Sequence, residues 1–156
     1  MSTPAYSRLQ IRLHWLTAAL IVAQFVFHER IATAWDALED GLAPAFDPLV
    51  LAHVLGGGAV LALAVWRLGL RARHGVPPAQ GSALAVRAAH WGHLALYGVI
   101  IALGLSGAAA WFGGIGAAAE LHEALKPVLA LLVAGHVAAA VWHHVALKDG
   151  TLSRMR

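Results

Sequence analysis

His122 and His136 lie fourteen residues apart on one apolar stretch. On an α-helix that separation turns both imidazoles to within about 40° of one stripe and sets them ~21 Å apart along the axis. Neutral imidazole is a common axial ligand of haem iron, and two ligands so placed fit within a hydrocarbon core of ~30 Å. The spacing therefore suits two haems stacked across a membrane. The chain has no cysteine, which excludes disulfides, thiolate-held iron–sulfur clusters and covalent c-type attachment. Any haem here is held non-covalently.

The elements that must position such ligands are helices in lipid. The 156 residues are 60% hydrophobic and 12% charged, with a mean hydropathy of +0.69, too apolar for an ordinary soluble domain. Apolar runs at Ile11 to Phe27, Leu49 to Leu70, Leu94 to Phe112 and Leu121 to Leu147 each approach the roughly 20 residues an α-helix needs to cross a bilayer. They predict an all-α, four-helix transmembrane bundle in a single domain over 1–156, with spans at about 11–28, 49–70, 90–112 and 121–147. The connections carry loop signals: acidic Glu29 to Asp47 with Pro44 and Pro48, Arg71 to Ser82 with Pro77 and Pro78, and glycine-rich Gly113 to Gly116.

Threading these spans puts Arg8, Arg12, Arg67, Arg71, Arg73, Arg87, Lys148, Arg154 and Arg156 on one side, and only Arg30 and Lys126 on the other. The positive-inside rule then makes both termini cytoplasmic. Seven carboxylates, Glu29, Asp36, Glu39, Asp40, Asp47, Glu120 and Glu123, join the two outer cations and leave about −5 there. Because the cations are scattered over several short segments and form no single stripe, the pI near 10.0 does not indicate nucleic-acid binding. The first span with Ala32-Thr33-Ala34 has some features of a signal peptide. His28, Glu29 and Arg30 interrupt the approach to that site, and cleavage would discard His14.

Ten histidines are many for so apolar a chain, since a buried imidazole needs a partner or a function. With alternating helices, His53 and His122 both open spans on the outer side and match in depth. His14 lies near the inner end of the first span and pairs with His136. His143, two turns on and with His144 beside it, is a rival. Bis-imidazole ligation fills both axial positions of each iron, so these haems would relay electrons. Gly56, Gly57 and Gly58 after His53, and Ala134 and Gly135 before His136, permit close approach of a flat macrocycle or simply of another helix. A lone membrane histidine is more often bonded to a nearby carbonyl, whereas four at matched depths favour haem. His28 and His74, at span edges, read as solvated. Arg87, His90, His93, His143 and His144 gather at the inner boundary as candidates for a quinone or proton site, or as interfacial anchors. Pro127 falls inside the fourth helix, bending it, if that helix starts near Glu120, and in a tolerated first turn if it starts near Glu123.

Tyr6-Ser7-Arg8 with Leu13-His14-Trp15, Ala52-His53, Ala89-His90-Trp91-Gly92-His93 with Leu96-Tyr97, Leu121-His122-Glu123, and Gly135-His136 through His143-His144 to Lys148-Asp149-Gly150 and Leu152-Ser153-Arg154-Met155 resemble bacterial cytochrome b561. The likeness spans nearly the whole chain in the family's order. It implies a bacterial inner-membrane protein with two b-type haems, the inner on His14 and His136 and the outer on His53 and His122, which favours His136 over His143. It also implies oxidation of superoxide at the outer face and delivery of the electron to ubiquinone. The negative outer face opposes an anionic donor, so Arg30 and Lys126 become candidates for steering superoxide or, equally, for interfacial anchoring. The alternatives are an anchor subunit relaying electrons from a periplasmic redox partner, which an acidic face suits, and a haem-free helical protein whose histidines bind metal ions or nothing.

Overall fold

The computed structural model describes residues 6–77 and 81–155. Pro78 of the second connection and Arg156 of the basic set lie outside the described residues. The described residues form α1 (Arg8–Val26), α2 (His28–Glu39), α3 (Pro48–His74), α4 (Ala83–Gly113) and α5 (Gly116–Trp142), then a π-helical turn (His143–Leu147) and a 3-10 turn (Leu152–Met155). Four helices, α1, α3, α4 and α5 with its π-helical extension, are long and apolar enough to cross a membrane, as the hydropathy pattern predicts.

Three of the four spans, α1, α3 and α4, start at a sequence-encoded cap, which moves the boundary from the edge of the apolar run. Ser7 and Gln10 form a capping box: the Ser7 hydroxyl accepts from the Gln10 N–H at 3.2 Å, and the Gln10 side chain accepts from the Ser7 N–H at 2.9 Å. These contacts satisfy two of the donors that a helix start leaves open. Asp47 caps α3 through the Leu49 N–H, with Pro48 in the first turn, and Ser82 caps α4. Starting at Ala83, α4 carries His90 about two turns and His93 nearly three turns inside the helix. The fourth span starts at Gly116, so Pro127 lies within α5 and the backbone bond to Glu123 is lost there.

One connection differs from its sequence reading. The acidic segment after Phe27, expected as a loop, forms α2, separated from α1 by the non-helical Phe27 (φ −105°, ψ 17°). Ile31, Ala34, Trp35 and Leu38 recur at helical spacing and form an apolar stripe. Ala34 is buried, and α2 packs on α3. The Ala32-Thr33-Ala34 segment thus lies in the middle of a packed helix.

Neighbouring spans pack α1 on α3, α3 on α4 and α4 on α5. The core consists of Val60, Ala64, Ile100, Leu103 and Leu129. Leu129 stands seven residues from both His122 and His136, so the packed layer lies halfway between them. Large apolar side chains such as Trp66, Leu105 and Leu131 remain exposed on the outside of the bundle, as they do on helices bathed in lipid.

The C-terminal turn and the end of α3 both meet the first half of α1. The Trp15 indole donates to the Met155 carbonyl at 2.9 Å, and the Gln10 amide donates to the Gly75 carbonyl at 3.4 Å. Burial pushes the Tyr6 phenol above its usual value, against the pull of Arg71 and Arg154. Asp149 accepts from His143 at 2.5 Å and from the Thr151 N–H at 3.0 Å. The His143 bond, reinforced by Thr151, holds the Asp149 carboxyl down to about 2 from 3.8. A depressed carboxyl contributes stability above its unfolded value that is lost as pH falls through the folded one. The C-terminal turn should therefore loosen between about pH 4 and 2, read as faster amide exchange at Thr151. Asp149→Asn should remove that pH dependence.

Candidate functional site

Two histidine clusters lie at opposite ends of the bundle. The first takes His14 from the start of α1, Arg67 from the end of α3, His93 from the first half of α4 and His136 from the end of α5. The second takes Gln24 from the end of α1, His53 from the start of α3, Leu103 and Gly107 from the second half of α4, and His122 from the start of α5. Successive spans therefore run antiparallel. Most cations belong to the first, basic end, and the carboxylates of α2 and the start of α5 belong to the second.

At the acidic end His53 and His122 line one cavity of about 840 Å³, with Gln24, His28 and Gly107 also in its wall. Asp36, Glu39, Glu120 and Glu123 contribute to the same wall. The His122 Nδ1–H donates to the Leu103 carbonyl at 2.9 Å, with the Ser106 hydroxyl at 3.5 Å. That bond puts the proton on Nδ1 and leaves Nε2 free to ligate a metal. Gly107 makes the arrangement possible, since a Cβ there would stand 3.0 Å from the His122 ring. Across the cavity, His53 Nδ1 is buried and has no hydrogen-bond partner among the described residues. A large cavity, a ligating nitrogen set free by its tautomer and an unsatisfied imidazole opposite fit a haem.

At the basic end the ring centroids of His14 and His136 are 6.2 Å apart, with planes at 64°. A metal about 2 Å from one nitrogen of each ring places the centroids ~6 Å apart, so this pair also fits one iron. His93 packs its ring 5.2 Å from His136 and donates from Nδ1 to the Ala89 carbonyl at 2.6 Å. The Arg67 guanidinium donates to His14 Nδ1 at 2.9 Å and stacks 5.6 Å from the Tyr97 ring centre. As a donor only, Arg67 directs the proton of a neutral His14 to Nε2. Ligation through Nε2 must break this contact.

The five candidates for a quinone or proton site do not form one group. His93 joins the His14 and His136 cluster. His143 turns to Asp149, which leaves His136 as the fourth-span partner of His14. His90 packs edge-on against Trp91 at 5.5 Å and is exposed, as are Arg87 and His144. Among the described residues no hydrogen bond or ring contact joins His143 or His144 to His90 or His93. His28, expected in solvent, donates from Nδ1 to the Phe25 carbonyl at 2.9 Å and lines the acidic-end cavity, because α2 folds back over it. His74 ends α3 and is exposed. No three His, Cys, Asp or Glu among the described residues converge as a metal-ion site.

Three residues that the fold brings to these clusters escaped the sequence reading. Arg67 counted only as a boundary cation, although an ionisable group inside an apolar run marks a functional site by default. Gln24 carried the same signal more faintly. Gly107 carried none, because its role depends on a ring from another helix.

A family model described as prokaryotic cytochrome b561 matches residues 5–156. The chain belongs to the prokaryotic cytochrome b561 family. It is 36% identical over 152 residues to a cytochrome b562 of Cereibacter sphaeroides, covering 97% of this chain and 95% of that protein. It is 34% identical over 176 residues to a probable superoxide oxidase, CybB, of Yersinia pestis, covering 96% and 94%. Membership makes this a multi-pass bacterial membrane protein of electron transfer and implies haem b as its cofactor.

Proposed function

We propose that the chain is a two-haem electron relay of the bacterial inner membrane, with both termini cytoplasmic and the acidic end outward. His53 and His122 hold one haem b, and His14 and His136 hold the other. The observation carrying this is the occurrence of two imidazole pairs, one at each end of the bundle, with the apolar layer around Leu129 between them. The haems supply reversible one-electron chemistry when bound. The protein supplies their placement, the His122 tautomer and the exclusion of water by the core.

An electron enters at the acidic end and leaves at the basic end to ubiquinone. At that boundary the exposed His90, His144 and Arg87 are the candidates for meeting the quinone, since His93 packs on His136 and His143 turns to Asp149. Likeness to the probable superoxide oxidase of Yersinia pestis supports superoxide as the donor and the chain as a superoxide oxidase. A second reading, favoured by the charge arrangement, is relay from a basic periplasmic redox protein. Lys126 is bonded to Glu123 at 2.5 Å, and Arg30 stands 4.0 Å from Asp47, so carboxylates meet both candidate steering cations. Stopped-flow mixing of the purified haem-loaded protein with superoxide decides between the readings. Rapid growth of the reduced α-band supports superoxide, whereas reduction only by a basic cytochrome supports the second.

A further inference from the structure

The two proposed ligands at the acidic end are supported unequally. His122 has the Leu103 carbonyl to fix its tautomer, while the buried Nδ1 of His53 has no hydrogen-bond partner among the described residues. Histidines that bind metal through one nitrogen almost always donate from the other to an oxygen, which orients the ring and raises its basicity. A source for that oxygen lies on α1. The Gln24 amide nitrogen occupies the space a side chain at Gly56 would fill, so that a Cβ on Gly56 would collide with it, and the carboxamide oxygen lies beside Gly57; half a turn of the amide exchanges the two. Gly56 is almost one turn after His53, and helical side chains lean toward the N-terminus, so a group lodged over Gly56 stands above the His53 turn. Gln24 and His53 both line the cavity. Glu123, the nearby carboxylate, is engaged by Lys126 and its side chain is 62% exposed.

We propose that Gln24 is the positioning residue for His53, its carboxamide oxygen accepting the Nδ1–H so that Nε2 is presented to iron. The glycine at 56 is what admits the amide to that place. This rests on the two-haem reading, within which it assigns a role to a polar side chain inside a span.

A stronger acceptor at position 24 pushes electron density through the imidazole and favours the oxidised site, while removal of the acceptor does the opposite. In a spectroelectrochemical titration of purified haem-loaded protein, Gln24→Glu should lower one midpoint by about 59 mV, tenfold for one electron. Gln24→Leu should raise the same midpoint, and the other should stay in place. Loss of one haem from Gln24→Leu, with retention in Gln24→Glu, supports the same assignment. If Gln24→Glu does not accumulate, Gly56→Ala serves, because it leaves the amide intact and displaces it; its midpoint should move toward that of Gln24→Leu. Midpoints unchanged through the series overturn the role of Gln24 while two haems remain. A wild-type protein without haem overturns instead the reading on which it rests.

Discussion

His53→Ala and His122→Ala should each lower the haem content from two per chain to one, as should His14→Ala and His136→Ala. A bis-imidazole iron that loses one axial ligand inside a cavity shaped for both loses much of what holds it, since no covalent link backs it up. The pairing makes the series sharper than four separate losses. His53→Ala/His122→Ala should be no worse than either single change, because both remove one haem. His53→Ala/His14→Ala should leave none. His143→Ala should keep both, because that ring is committed to Asp149. A pyridine haemochrome assay per mole of protein measures all of these, and losses that cross the pairs would refute the assignment.

Glu123→Gln should raise the rate at which superoxide reduces the protein by about tenfold at low salt, within the range over which surface fields alter encounter rates. The substitution releases Lys126 from its partner and removes one charge of the sign that repels the anion. A basic protein donor should be slowed by a similar factor. Both effects should shrink as the ionic strength passes ~0.15 M, where the screening length falls to about 8 Å. If superoxide already reduces the unaltered protein near the diffusion limit and added salt slows it, the cations govern approach despite their carboxylate partners. Stopped-flow absorbance at two ionic strengths separates these cases.

The residues that misled the sequence reading share a cause. Glu29, Asp36, Glu39 and Asp40 made the segment after Phe27 look like a solvated loop, yet Ile31, Ala34 and Trp35 carry a helical stripe through the same residues. Its significance appears only once α3 is there to receive Ala34. His28 followed that error into solvent, whereas α2 brings it to the cavity wall. The quinone candidates were grouped by nearness along the chain and to one boundary. Rotation about each helix axis separates them, turning His93 inward and leaving His90 outward. Gly56 was read as room for a flat macrocycle or a neighbouring helix, and it is the neighbouring helix α1 that fills the space, through Gln24.

Hydropathy and charge determined the four spans and the opposition of a basic end to an acidic one. These are properties of each segment alone, since a run of apolar residues must satisfy its own backbone in lipid and becomes a helix whatever its neighbours. The tertiary structure decided the rest: that His14 meets His136 and not His143, that Leu103 sets the tautomer of His122, that Arg67 reaches His14, and that Arg30 faces Asp47. Each of these depends on how two helices are rotated and inclined where they cross, which is set by the packing of small and large side chains between them.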